Sequence, residues 1–93
     1  MLDNRRVVIT GMGVICATGS TVPEFLAALR EGRQGIGEIT LFNCSGYPSH
    51  MGAQINAYDP LVFFDKRELR RLSRDDQFVL IAGREACADA GLR

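Results

Sequence analysis

Residues 5–13 have the sequence Arg5-Arg6-Val7-Val8-Ile9-Thr10-Gly11-Met12-Gly13. The three consecutive β-branched residues favour a strand, and they do not alternate with polar residues. A strand that is apolar on both faces is typical of the middle of a sheet that is covered by helices. This stretch therefore predicts an α/β fold, with a tight turn at the two glycines.

Two helices are predicted from their end signals. Thr21-Val22-Pro23-Glu24 has the spacing of a capping box with proline in the first turn, and the following apolar residues lie on one face until Gly32, which predicts a helix over residues 22–31. Ser73-Arg74-Asp75-Asp76 predicts the start of a second helix that runs to Ala90 and ends at Gly91.

The chain between these helices carries weaker signals. Several glycines and Pro48 break any periodicity over residues 32–52, which predicts irregular structure there. Apolar residues alternate over residues 51–55, which predicts a short strand. Asp59-Pro60 predicts a capped turn that continues through residues 61–64.

The second helix is apolar around most of its circumference, which is typical of a buried helix. One strand of the central type, one weak strand and one amphipathic helix are too little to bury it, because small domains hide only about 60% of their unfolded surface. We therefore expect residues 1–93 to be the N-terminal portion of a larger, multilayered α/β protein and to be incomplete as a domain. An obligate oligomer would supply some of the missing cover.

The composition excludes several classes of protein. The chain has 11 Lys and Arg against 11 Asp and Glu, and no apolar run approaches the roughly 20 residues that span a bilayer. The N-terminus also lacks the apolar core of a signal peptide. A neutral chain without aromatic residues among its basic ones is a weak candidate for binding nucleic acid. We expect a cytoplasmic protein with neither a membrane nor a nucleic acid as partner.

No catalytic, metal or cofactor site is predicted. Gly11 and Gly13 begin a pattern of the dinucleotide-binding type, but Cys16 stands where its third glycine belongs and the helix starts too late. Cys44 and His50 could form a nucleophile and its base, yet no carboxylate motif orients them and their loop is rich in glycine. The three cysteines are too widely spaced for a zinc site or a disulfide framework.

Residues 65–74, the basic segment, carry the most concentrated charge, with the sequence Asp65-Lys66-Arg67-Glu68-Leu69-Arg70-Arg71-Leu72-Ser73-Arg74. Four of its arginines are spaced as one face of a helix, and its side chains sum to five positive and two negative charges. Two interpretations remain open: a solvated helix face, or a docking surface for an anionic partner.

In their order and spacing, these motifs resemble the N-terminus of the β-ketoacyl-acyl carrier protein synthases, particularly the standalone type II elongating enzymes. The residues that carry the resemblance are Arg5 to Val14, Phe25 to Ile36, Tyr58-Asp59-Pro60, Lys66 to Leu72, Gln77-Phe78 and Ala86 to Leu92. Cys16-Ala17-Thr18-Gly19 departs from the Ser-Pro-Leu-Gly turn that is common in the family, which leaves the subgroup open.

The resemblance implies a thiolase-like fold with layered α/β/α/β/α architecture, usually paired as a homodimer. It also implies a decarboxylative Claisen condensation of an acyl thioester with malonyl-carrier protein, in fatty-acid or polyketide chain extension. The nucleophilic cysteine and the two histidines of the family lie further along the full-length chain. The 93 residues alone are therefore predicted to be inactive.

The resemblance further implies a docking site for the acyl carrier protein, which bears its substrate on phosphopantetheine. By motif this site falls on Arg67, Arg70 and Arg71, with Lys66 and Arg74 as helpers. Two other functions stay open: a non-catalytic chain-length factor of a ketosynthase heterodimer, and a small binding module for an acidic protein. A cysteine at the downstream nucleophile position would favour the enzyme, whereas cooperative unfolding of residues 1–93 as a monomer would favour the module.

Overall fold

A computed structural model of the protein describes residues 4–92. In chain order its elements are α1 (Val22–Glu31), β1 (Ile36–Glu38), β2 (Met51–Ala53), a 3-10 turn (Pro60–Val62), α2 (Lys66–Leu69) and α3 (Arg74–Asp89). The two strands form an antiparallel sheet in which Gly37 lies opposite Gly52. Helices and a small sheet therefore make up the ordered elements of the described residues.

The helix α1 has the bounds that the sequence predicts. The Thr21 hydroxyl accepts a hydrogen bond from the Glu24 amide at 3.3 Å. The Glu24 carboxylate accepts from the Ser20 amide at 3.2 Å, so the return arm of the capping box is displaced by one residue. Gly32 ends the helix in the left-handed region with φ of 70°, where a side chain would be strained.

The helix α3 begins as predicted and ends one residue early. The Ser73 hydroxyl accepts from the Asp76 amide at 3.1 Å, and the Asp76 carboxylate accepts from the Ser73 amide at 3.2 Å, which completes a capping box. Gly91 follows the helix with φ of 77°. The turn at Asp59-Pro60 is also confirmed, since the Asp59 carboxylate accepts from the Leu61 amide at 3.0 Å.

The predicted central strand is not formed among residues 4–92. Val7, Val8 and Ile9 pair with no strand there, and their side chains are 96%, 72% and 81% exposed. A strand exists only as a hydrogen-bonded ladder, and the described residues place no second strand beside this one. The prediction was therefore wrong for this structure, because β propensity cannot supply a partner.

The sequence prediction of irregular structure over residues 32–52 missed β1. The strand has only three residues, one of them glycine, so its propensity is low. Side-chain bonds from Gln54 support the hairpin: its Oε1 accepts from the Thr40 and Leu41 amides at 3.1 and 3.3 Å. The predicted strand over residues 51–55 is confirmed only over Met51–Ala53.

The segment that contains Gly11 and Gly13 packs against the long helix α3. A Cβ atom on Gly13 would lie 1.9 Å from the Ala82 carbonyl oxygen, and one on Gly11 would lie 2.2 Å from that of Ala86. The Glu85 carboxylate accepts from the Val14 and Val22 amides at 2.9 and 2.8 Å. The two glycines thus permit close contact with the backbone of α3. The tight turn predicted at them is wrong, since the described turn lies at residues 16–19 instead.

Burial of α3 is incomplete in this structure. Only Gln77 and Ile81 are buried, while Val79 is 71% exposed on another face. The elements of residues 4–92 thus cover one side of α3, and the sequence analysis expected them to be too few to bury the whole helix. None of the helices in the described part of the chain is long and apolar enough to cross a bilayer.

Candidate functional site

The basic segment is not one helix, and this corrects the prediction of a single arginine face. Asp65 caps α2 by accepting from the Glu68 amide at 2.7 Å, but α2 ends at Leu69. Arg70 and Arg71 lie in the turn that follows, and Arg74 is the first residue of α3. Ser73 is the N-cap of α3 and has extended backbone with ψ of 168°, so no helix can continue through it from α2 into α3.

Four cations of the basic segment project without partners. Lys66, Arg67, Arg70 and Arg71 are exposed, and none makes a side-chain hydrogen bond or an ion pair within residues 4–92. These four residues form what we term the cationic surface. A partner can therefore bind these charges without first breaking a hydrogen bond or an ion pair that they make within the described residues.

Three of the neighbouring carboxylates have partners of their own, whereas Asp75 is exposed and makes no side-chain hydrogen bond or ion pair within residues 4–92. Asp65 bonds to the α2 backbone, and the Glu68 carboxylate lies 3.5 Å from Arg84 Nη2 on α3. Asp76 belongs to the capping box of α3. The backbone hydrogen bonds leave the charges of Asp65 and Asp76 in place, whereas the pair with Glu68 brings one further cation, Arg84, from outside residues 65–74.

The structure separates Arg74 from the other basic residues. Its guanidinium carbon lies 5.2 Å from the centre of the Tyr58 ring and 5.0 Å from that of Phe78. Its Nη2 donates to the Ile55 carbonyl at 3.1 Å. Cation–π contacts and this hydrogen bond hold Arg74 against the protein, so its main observed contacts are internal.

Gln77 is a buried polar residue that the sequence analysis did not single out as functional. The Tyr58 hydroxyl donates to its Oε1 at 2.7 Å, and its Nε2 donates to the Leu72 carbonyl at 3.3 Å. Burial raises the pKa of the Tyr58 phenol, although the Arg74 charge acts in the opposite direction. The phenol therefore stays protonated at neutral pH and can donate this bond.

Arg84 was also missed by the sequence analysis. Its Nη1 donates to the Phe63 carbonyl at 3.2 Å, and its guanidinium carbon lies 4.8 Å from the centre of the buried Phe64 ring. Gln77, Ile81 and Arg84 follow one another at i, i+4 and i+7, so they share one face of α3. That spacing is the signal that could have revealed both polar residues.

The structure brings Cys44 and His50 to one open cavity of about 490 Å³ but does not pair them. The Cys44 thiol is directed to the Ile39 carbonyl, with Sγ 4.0 Å from the oxygen. No bond joins it to the His50 ring within residues 4–92, so the geometry of a nucleophile and its base is not formed. Across the same residues, no group of three or more His, Cys, Asp or Glu could hold a metal ion.

Cys16 lies in the tight turn formed with Gly19. Burial raises the pKa of its thiol, but hydrogen bonds from the Thr18 hydroxyl and from the backbone of Thr18 and Gly19 lower it by more, so the net shift is downward. A lowered thiol pKa alone does not make a catalytic nucleophile, which also needs a base and an oxyanion site.

Comparison with known proteins gives one consistent result. Residues 4–93 match the family model described as "Beta-ketoacyl synthase, N-terminal domain". The chain is 37% identical over 91 residues to 3-oxoacyl-[acyl-carrier-protein] synthase 2 of Synechocystis, covering 98% of this chain and 22% of that protein. It is 36% identical over 92 residues to the protein of the same name from Staphylococcus aureus, covering 99% and 22%.

Two further matches are a polyketide synthase subunit and a solved ketosynthase/chain length factor structure. The tetracenomycin polyketide synthase ketoacyl synthase beta subunit of Streptomyces glaucescens is 37% identical over 86 residues, covering 92% of this chain and 21% of that one. A solved structure titled "The ishigamide ketosynthase/chain length factor" aligns with a TM-score of 0.83 at 37% identity, covering 96% of this chain and 22% of that one. The chain thus spans about a fifth of the length of the proteins it matches.

Proposed function

This chain belongs to the β-ketoacyl synthase family, and from that premise we propose that it is the N-terminal portion of a 3-oxoacyl-[acyl-carrier-protein] synthase. Its fold class is α/β and thiolase-like, as the sequence predicted. The membership rests on a match over residues 4–93 and on relatives that carry this enzyme's name.

The proposed reaction is a decarboxylative Claisen condensation. An acyl group passes from its carrier thioester to a cysteine, a malonyl thioester loses carbon dioxide, and the carbanion so formed attacks the acyl carbon and expels the cysteine thiolate. This chemistry needs an activated thiol, an oxyanion hole and groups that stabilise an enolate. We assign none of these roles to Cys16, Cys44, Cys87 or His50, so these 93 residues alone are proposed to be inactive.

The function that we assign to this portion is docking of the acyl carrier protein. The observation that carries the proposal is the set of four exposed cations at Lys66, Arg67, Arg70 and Arg71, which make no side-chain hydrogen bond or ion pair among the described residues. An acidic helix of a carrier protein that bears phosphopantetheine complements such a surface. Opposite charges of this kind raise the encounter rate and fix orientation, and salt weakens them. Arg74, whose side chain has internal contacts, is at most a secondary contributor.

Charge reversal tests this proposal. In the intact enzyme, replacing Arg67, Arg70 and Arg71 with Glu should raise KM for carrier-borne substrates by about tenfold or more, because each change turns attraction into repulsion. Steady-state kinetics with free pantetheine thioesters should change little. Replacing the exposed Arg30 and Arg33 with Glu is the control, since it reverses charges around the C-terminal end of α1 instead. Equal losses with both kinds of substrate would contradict docking at this surface.

A non-catalytic chain-length factor is the second candidate function. The similarity to a ketoacyl synthase beta subunit and to the ketosynthase/chain length factor structure favours it. For the synthase we propose a homodimer, whereas a chain-length factor would pair with a separate ketosynthase. The residue at the nucleophile position of the intact protein decides: cysteine supports the enzyme, and another residue supports the factor. Family membership argues against the small binding module.

A further inference from the structure

We infer that Gln77 and Arg84 are positioning residues, which hold the cationic surface in place from α3 without contacting the docked partner. The inference rests on the docking function proposed above, and it concerns how that surface keeps its geometry. Its basis is the pair of polar anchors that α3 extends to the backbone on either side of the cationic surface.

Arg84 contacts the chain on the N-terminal side of the cationic surface. It donates to the Phe63 carbonyl, forms an ion pair with Glu68 in α2 and lies over the Phe64 ring. These three contacts connect one guanidinium to the loop before α2 and to α2 itself. A planar group with several donors is needed to make them together.

Gln77 contacts the backbone on the C-terminal side of the cationic surface. Its amide donates to the Leu72 carbonyl directly after the turn that carries Arg70 and Arg71. The Tyr58 hydroxyl fixes the orientation of that amide by donating to its oxygen. Gln77 is buried, so its amide can reach no partner docked outside and must act through Leu72.

The two anchors lie seven residues apart on one helix, which separates them by about 10 Å along its axis. Between them lie one helical turn and one tight turn, whose four cationic side chains make no hydrogen bond or ion pair within residues 4–92. The arrangement of those charges therefore depends on the backbone that the anchors fix. If an anchor is removed, the charges remain but their positions are no longer fixed. Docking must then order this backbone, and the conformational entropy lost in doing so weakens binding.

Arg84→Lys separates positioning from direct charge contact. Lysine keeps the positive charge but cannot make the forked contacts, so KM for carrier-borne substrates should rise about threefold to tenfold. The kcat value and the kinetics with free pantetheine thioesters should stay near those of the wild type. Direct contact of the Arg84 charge with the carrier predicts instead that lysine preserves KM, an outcome that would overturn the inference for Arg84.

Tyr58→Phe provides a second variant that changes no charge. It removes the hydroxyl that orients Gln77 while keeping the ring beside Arg74. The expected rise in KM for carrier-borne substrates is about twofold to fivefold, the range of one hydrogen bond. The slope of log KM against log salt should match the wild type in both variants, because every charge of the cationic surface is kept.

A double-mutant cycle completes the test. If Arg84 acts through the cationic surface, Arg84→Lys should raise KM in the wild type and add nothing when Arg67, Arg70 and Arg71 are already Glu. An equal fold-change in both backgrounds would overturn the positioning role. If charge reversal raises KM selectively while Arg84→Lys and Tyr58→Phe leave it unchanged, the positioning role fails and the docking function stands. If charge reversal itself is not selective, the docking function fails, and the inference fails with it.

Discussion

Replacing Gly13 with alanine is expected to lower the free energy of unfolding by about 3 kcal/mol or more. The new Cβ would lie 1.9 Å from the Ala82 carbonyl oxygen and 2.8 Å from its carbon, far inside van der Waals contact. These are backbone atoms within α3, so the overlap can be removed only if the segment around Gly13 moves away from the helix. Chemical denaturation of the intact protein, followed by circular dichroism, measures the loss.

Gly46→Ala is the matched control for this prediction. A Cβ at Gly46 meets nothing within 4 Å, so its effect should stay within about 0.5 kcal/mol. Gly11→Ala should resemble Gly13→Ala, since its Cβ would lie 2.2 Å from the Ala86 carbonyl oxygen. If the Gly13→Ala protein is as stable as the Gly46→Ala control, the segment around Gly13 does not pack against α3.

Glu85→Ala has the second large effect on stability. The Glu85 carboxylate accepts from two backbone amides, those of Val14 and Val22, and alanine leaves both partly buried donors without a partner. Hydrogen bonds to a charged group contribute about 1.5–3 kcal/mol each, so we expect a loss of about 2–4 kcal/mol after water replaces part of them. Denaturant midpoints measure the loss.

Glu31→Ala controls for removal of a carboxylate from a helix surface. Within residues 4–92 Glu31 forms an ion pair only with the exposed Arg33, so its loss should cost less than about 1 kcal/mol. The stability lost in Glu85→Gln should lie between the losses in Glu31→Ala and Glu85→Ala. Glutamine keeps one acceptor oxygen, but its amide nitrogen is a donor that would face one of the two backbone amide donors. Amide hydrogen exchange at Val14 and Val22 should accelerate in both Glu85 variants. Unchanged exchange would contradict the assignment of Glu85 as their acceptor.

The candidate site could be predicted only in part. Lys66, Arg67, Arg70 and Arg71 were identified by motif, and the structure places them exposed, with no side-chain hydrogen bond or ion pair to the rest of residues 4–92. Their supposed common helix was wrong, because two caps compete within the segment. Gln77 and Arg84 act through contacts to residues 5 and 21 positions away, respectively, and composition carries no trace of such contacts.

Local signals in the sequence were enough to predict α1 between its caps at Thr21 and Gly32, the turn at Asp59-Pro60, and the N-cap of α3 at Ser73. Each of these depends on bonds within a few residues, so the signal and its partner lie in the same short window. The roles of Gly13, Glu85 and Arg74 depend on tertiary contacts and became visible only in the folded chain. Glu85 meets Val14 across 71 positions of sequence, and Arg74 meets Ile55 across 19. Contacts between distant residues depend on how the whole chain packs, and for that reason no local pattern encodes them.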